Sequence, residues 1–359
     1  MLPRPAVTEP VRVRTRTYAS APALLLALCA VIGCGGGARE PQSGESKGTT
    51  PAAAEEPSGG ATALTLGAYT TPREAYGKAI LPAFRKHWQD KTGKTVEFRE
   101  SYLASGAQAR AIISGFEADV AALSLEPDLE KIREAGLIKH DYKAGEGRGM
   151  VSQSVVVIGV RKGNPKNIEG WDDLAKPGIE VLTPDVRTSG GAMWNVAAIY
   201  GAALRGHTKA KAGDKEAATQ LLGAVLANVK ILDKGARESL LNFERGVGDA
   251  IITYENEILV GRMKNQDYDY VIPKSTISIE NPVSVVDTYA DRHGSRELAD
   301  AFVAFLGTPE SQRAFAEYGL RPVLPAVASE IGARFPKVND LFTVRDLGGW
   351  KEVQRTLFD

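Results

Sequence analysis

The chain has 359 residues, of which 43% are hydrophobic and 25% charged, with 44 basic and 44 acidic side chains. That is enough apolar material for one large domain or two lobes. A formal charge of zero argues against a nucleic-acid partner, which requires a basic face, and any anion site here must work without a broad positive field.

The N-terminus reads as an export signal over residues 1–33. Arg12, Arg14 and Arg16 precede the apolar run "APALLLALCAVIG", which is too short to span a bilayer. The run ends at Gly33-Cys34, which resembles a bacterial lipobox; its cysteine is lipidated and becomes the first mature residue. The alternative is a plain signal peptide with an incidental cysteine. Removing the segment takes away Arg4, Arg12, Arg14, Arg16 and Glu9 and leaves 40 basic and 43 acidic residues. Cys29 would leave with the signal and Cys34 would carry lipid, so the mature domain is expected to hold no disulfide. Residues 34–61, rich in Gly, Ser, Pro, Glu and Ala, read as the lipidated cysteine and a disordered tether, about 30 Å from end to end.

From residue 62 short apolar runs alternate with helical periods. "LTLGAY" (64–69) is a strand. Thr71-Pro72-Arg73-Glu74 then has the spacing of a capping box, with Ala75, Tyr76, Ala79, Ile80, Phe84 and Trp88 on one helix face and Gly93 as its stop. "TVEFRE" is a strand, and a helix is expected to start at Ser105 with a second capping-box spacing to Gln108. "DVAAL" is a strand and "EPDLEKIREAG" a helix. "QSVVVIGVRKG" suits a strand buried on both faces. "IEVLTPD" leads into "TSGGAMWNVAAIYGAAL", "VKILD" into "KGARESLLNFERG", and "DAIITY" into "ENEILVGRM". "DYVIP" and "PVSVVD" are further strands, followed by C-terminal helices near 295–318 and 348–358. Strand then helix, repeated, predicts an α/β fold with mainly parallel sheets, in which ligands collect beyond the carboxyl ends of the strands. The strand at 153–161 and the segment near 270–286 are candidate crossovers between two lobes.

Enzymatic signatures are missing. His87, His140, His207 and His293 are scattered, and no H-E-x-x-H, P-loop or G-x-S-x-G pattern occurs. No metal site or cofactor is expected. Ser189 has no obvious base, so an exported serine hydrolase is the weaker reading. Glu255 and Glu257 read as a solvated helix start, where the dipole favours acids. What remains is a set of junctions, Ser105-Gly106, Ser189-Gly190-Gly191 and Gly235-Ala236, with small residues where helices begin. First-turn N–H groups have no partner inside the helix, and several such ends together bind an anion without lysine or arginine. Ser189 is expected to cap its helix and also offer its hydroxyl, while Gly190 and Gly191 expose two N–H donors.

The motifs "TSGGAMWN", "RKGNP", "DKGARES", "ERGVGDAIITYENE", "PVSVVD" and "LFTVRDLGGW" resemble the sulfate-binding proteins of bacterial ABC importers. "LGAYTTPREAY" and "FRESYLASGAQ" carry the likeness into the N-terminal part, so it covers roughly residues 62–358. The resemblance implies a two-lobed, type II periplasmic-binding-protein-like α/β fold that closes over one sulfate dianion, with lobes 62–153 plus 275–359 and 154–274. It implies ligand contacts from Ser105, Ser189, Gly190, Gly191, Ala236 and Tyr254. Its further implications are a monomer tied to the membrane only through Cys34, on the periplasmic or outer side, and a permease partner. The sequence departs from the family at several points. Tyr254 replaces a tryptophan, so a phenol that can donate or accept stands where an indole only donates. Thr70 replaces an aspartate, and Tyr102, Leu103, Ala104 and Ala107 replace His, Gly, Gly and Lys. Thiosulfate, molybdate, tungstate and phosphate therefore stay open beside sulfate.

Overall fold

The computed structural model describes residues 62–359 apart from Glu146. Cys34, the export signal and the tether lie outside the described residues. The strands are β1 Thr62–Tyr69, β2 Val96–Leu103, β3 Val120–Ala122, β4 Met150–Arg161, β5 Val181–Pro184, β6 Val229–Asp233, β7 Ala250–Tyr254, β8 Tyr268–Val271, β9 Ser275–Val285 and β10 Asp340–Phe342. They pair in the order β2-β1-β3-β9-β4-β7-β5-β6, with β8 on β4 and β10 on β9. The β1, β2 and β3 pairings are parallel, as are those of β5 with β6 and β7.

Two long antiparallel strands join these parallel groups into a two-lobed α/β fold. β9 pairs with β3 through Val283–Val285 and with β4 through Ser278–Pro282. β4 then continues through Val156–Val160 to pair with β7. Its alternate side chains separate cleanly. Val156, Ile158 and Val160 join one hydrophobic cluster and Val155 and Val157 another, so the uninterrupted apolar run is buried on both faces. On the first lobe, Leu64 and Leu66 of β1 pack with Phe84, Phe302 and Phe315, while Ala109, Ile112 and Leu129 belong to a separate cluster.

The first helix runs over residues 73–92, with a π-helical stretch at Tyr76–Ile80, and stops at Gly93, whose φ of 72° suits glycine. Its start differs from the expected capping box. Pro72 occupies the cap position without a side-chain bond, and Glu74 turns to Arg237 and Lys264 instead of to its own helix. Ser105 is likewise inside its helix, Ser105–Ile113, with Ala104 at the cap. Its hydroxyl is spent on Asp128, and Gln108 accepts from Ser101. Four helices escape the reading by strand and junction, Trp171–Leu174, Lys215–Ala227, Asp287–His293 and Pro325–Ile331; the second is capped by Asp214, which accepts from the Ala217 N–H at 2.9 Å.

The helix Gly190–Leu204 is buried all round through Ala203, as its apolar composition requires. The C-terminal tail covers it. Trp350 packs edge-on against Trp194 at 4.6 Å, and Gly201 leaves room for Phe342. These contacts set the tail against the helix that follows β5. Asp340 pins it, accepting from Arg205 at 2.6 and 2.7 Å and from Ser275 at 2.6 Å.

Arg205, with Ser275 and His207 assisting against burial, holds the Asp340 carboxyl at about 2. A carboxylate depressed in the folded state contributes stability above its ordinary value near 4 and loses it as pH falls toward the folded value. Asp340→Asn should lower the melting temperature at pH 7 by about 2–4 °C. The gap to the natural protein should narrow as the pH is lowered below about 4. Thermal scans at several pH values check this; equal melting at pH 7 would show that the tail is held by packing alone.

Candidate functional site

The parallel strands end at helix starts, and those starts meet between the lobes. Ser105 and Gly106 follow β2, and Ser124 follows β3 just ahead of the helix Glu126–Glu134. From the other lobe come Ser189 to Gly191 after β5, Gly235-Ala236 after β6, and Tyr254 at the end of β7. Ser105, Ser124, Ser189, Ala236 and Tyr254 are all buried.

The contacts bring the six sequence-predicted residues into one place. A Cβ on Gly191 would lie 3.1 Å from the Tyr254 ring, 3.3 Å from the Ser189 hydroxyl and 3.5 Å from the Ala236 methyl. Ser105 joins them through Ser124. The Ser124 N–H donates to the Ser105 hydroxyl oxygen at 3.0 Å, and the Ser124 and Tyr254 hydroxyls lie 2.6 Å apart. The Ser105 hydroxyl in turn donates to buried Asp128 at 2.7 Å. With its hydroxyl committed, the group Ser105 has to offer is its first-turn N–H. Gly190, Gly191 and Ala236 also stand in the first turns of their helices, so their N–H groups lack intrahelical partners.

Ser189 occupies the cap position of Gly190–Leu204, yet its side chain makes no capping bond. The expected use of the hydroxyl as a cap is therefore not made. Gly190 has a reason beyond exposing its N–H. A Cβ there would sit 2.6 Å from the Ser124 hydroxyl and 2.8 Å from the Leu125 side chain, both on the opposite lobe. The glycine is what lets the two lobes touch. Gly106 repeats the arrangement, its Cβ position lying 3.2 Å from the Thr188 carbonyl across the cleft.

Ser124 is the residue that sequence reasoning missed. Besides its hydroxyl and N–H contacts, its carbonyl accepts from Trp194 at 3.0 Å and Asn281 at 3.3 Å. The signal was present: a small hydroxyl residue after an apolar strand, two residues before a helix. Glu255 and Glu257 depart from the solvated reading. Both are fully buried. Glu255 forms a two-point ion pair with Arg321 at 2.7 and 2.9 Å, and Glu257 lies 3.2 Å from Arg237. Burial pushes both carboxyls up, and the arginines oppose it. Burial likewise pushes the Tyr254 phenol up, so it stays neutral and able to donate or accept.

A family described as bacterial extracellular solute-binding proteins matches residues 64–321. The chain belongs to that family. This solute-binding protein is 41% identical over 345 residues to the sulfate-binding protein of Synechococcus elongatus, covering 96% of this chain and 93% of that one. The thiosulfate-binding protein of Escherichia coli is 34% identical over 305 residues, 83% of this chain and 88% of its own. Among solved structures, the sulfate-binding protein SubI from Mycobacterium tuberculosis superposes with a TM-score of 0.76 at 38% identity. The alignment covers 83% of this chain and all of SubI.

The role given to Gly190 is testable. Gly190→Ala adds one methyl group against Ser124 and Leu125, at distances that real Cβ atoms essentially never adopt. The variant should fold, because the added methyl meets only the Ser124 and Leu125 side chains, but should lose at least tenfold in affinity for its oxyanion because the lobes cannot close. Calorimetric titration beside a melting scan checks this; unchanged affinity would show that closure leaves room at Gly190.

Proposed function

We propose that this protein is an exported receptor that encloses a sulfate or thiosulfate dianion between its lobes and delivers it to an ABC permease. The observation that carries the reading is the meeting of uncapped helix starts from both lobes at Ser105, Ser189, Gly190, Gly191 and Ala236, with two hydroxyls beside them. The relatives, named for sulfate and thiosulfate binding, give the oxyanion its identity. They are named as binding proteins, which supports a receptor over the hydrolase reading.

Mechanistically, each lobe supplies part of a donor set that neither holds complete. The anion first meets the N–H groups of one lobe, and closure brings those of the other. Hydrogen bonds to a charged group contribute about 1.5–3 kcal/mol each, so several together offset the cost of removing a dianion from water. The first-turn N–H groups carry the positive end of the helix dipole and are fixed in advance, so little reorganisation is needed on binding. Sulfate, fully ionised at neutral pH, accepts from every donor. Hydrogen phosphate brings a proton of its own and leaves a buried donor facing it, which is penalised.

In the same proposal, Cys34 carries a lipid and residues 35–61 tether the domain near the membrane. No helix among the described residues is long and apolar enough to cross one. The lobe boundary passes through β4 and β9, with residues 62–153 on one side and 154–274 on the other. Residues 275–359 return to the first side, and within them Phe342 and Trp350 pack on the helix Gly190–Leu204.

Calorimetric titration with sulfate, thiosulfate, molybdate, tungstate and phosphate tests the reading. Sulfate and thiosulfate should bind saturably, phosphate at least tenfold more weakly, and a chelator should change nothing. Ser189→Ala should weaken sulfate binding by about 1.5–3 kcal/mol, roughly 10- to 100-fold. No heat with sulfate or thiosulfate would overturn the function, and full affinity in the variant would remove Ser189 from the site.

A further inference from the structure

A cavity of about 350 Å³ lies against the two strands that join the lobes, and none of the junction residues of the oxyanion site lines it. The size is within the roughly 300–1,000 Å³ of small-molecule pockets. One wall is built on β4 and β9: Gln153 and Glu280 both line the cavity and stand opposite each other in the ladder between those strands. The apolar surface comes from Met150, Val323, Val344 and Trp350. Val344 and Trp350 are buried, and Trp350 is braced edge-on by Trp194. A sheet and packed side chains therefore hold these walls in place.

Four charged side chains line the same cavity, two of each sign: Glu126, Glu280, Arg148 and Arg345. Each carboxylate has one oxygen engaged. Lys143 donates to Glu126 at 2.6 Å and Arg345 to Glu280 at 2.8 Å. The second oxygen of each has no partner among the described residues, and Arg148 has no carboxylate partner among them. Arg148 is also the unusual residue of its loop. Its φ of 48° places it in the left-handed region between Gly147 and Gly149. That conformation costs a side-chain-bearing residue about 1 kcal/mol or more, so a glycine would be favoured unless the side chain has a use. A net anion here would meet two carboxylates, and a net cation two guanidinium groups. A zwitterion satisfies both signs at once. We infer that this cavity is a second ligand site and that it takes a free amino acid with an apolar side chain. The amino acid's carboxylate pairs with Arg148, its ammonium with the open carboxylate oxygens, and its side chain lies against Trp350 and the aliphatic neighbours. Sulfate is a poor fit, because both of its charges would face the two glutamates and it offers nothing to the apolar wall. The inference stands on the cavity alone and does not depend on what the oxyanion site binds.

The test is calorimetric titration of the chain without its export signal, using L-leucine and L-methionine beside two truncated forms of leucine. Isocaproate lacks the ammonium, and isoamylamine lacks the carboxylate. The amino acids should bind saturably, the truncated forms at least about tenfold more weakly, and saturating sulfate should not displace them. Arg148→Gly removes the charge and suits the backbone conformation. It should keep the melting temperature, leave sulfate affinity unchanged within about twofold because the two sites share no residue, and weaken leucine binding at least about tenfold. Glu280→Gln should weaken leucine in the same direction and gives a second reading from the opposite sign of charge. No saturable binding of either amino acid overturns the site. So does displacement by sulfate, or leucine affinity unchanged in either variant, since the bound molecule would then lie elsewhere. Isocaproate binding as tightly as leucine overturns the zwitterion. If leucine binds as described and no oxyanion binds, the second site stands and the receptor reading falls.

Discussion

Ser124 and Gly190 approach so closely that one methyl group on the glycine would stand 2.6 Å from the serine hydroxyl. That approach sets the terms for the structure around it. Two helix starts can face one ligand only if their backbones come within hydrogen-bonding reach of a common point, and a side chain between them forbids it. The fold then has to deliver two such ends face to face from separate lobes. β4 and β9 make this possible, because each runs through both groups of strands and carries the alignment from one to the other. The helix behind Gly190 has to be a firm support, and it is buried on every side, by β9 beneath and by Phe342 and Trp350 above. A glycine pair at a helix start weakens that helix locally. Packing along the rest of Gly190–Leu204 offsets the loss.

Much of this was legible in the sequence because strand-to-helix junctions with small residues leave a local mark. The strands, the long buried β4 and the helix starts at Ser189 and Gly235 follow from runs and spacings within a dozen residues. What was not legible depends on partners far along the chain. Thr71 and Ser105 have good capping-box spacing, yet Glu74 is drawn to Arg237 some 160 positions away and the Ser105 hydroxyl to Asp128. A tertiary ion pair outweighs a local cap. Glu255 and Glu257 look like surface acids because Arg321 and Arg237, which make their burial tolerable, cannot be assigned to them from spacing. Ser124 was passed over because no glycine flags it. The reason glycine stands at 190 was half legible: exposure of the N–H follows from sequence, but the clash with Ser124 and Leu125 needs the opposite lobe.

The placement of charge around the site follows one logic. Arg237 adjoins Ala236, so a cation stands one residue from the proposed donors. It is turned away and held by Glu74 and Glu257, so its charge is already answered. A cation aimed at the ligand would attract any anion and say little about its protonation state. Neutral N–H groups are more discriminating, since each requires a lone pair and none can accept. Tyr254 is the exception within that set. Its phenol is buried, neutral and 2.6 Å from the Ser124 hydroxyl, and either oxygen of the pair can be the donor. Because each hydroxyl supplies one proton and accepts through its oxygen, the pair binds itself with one proton and has the other left to give. In the proposed site that remaining proton is the one offered to a fully ionised oxyanion. Because Ser124 and Tyr254 come from different lobes, the pair also forms only on closure. The tyrosine thus ties the two lobes together through its hydroxyl, and in the proposed site the pair keeps one donor for the anion.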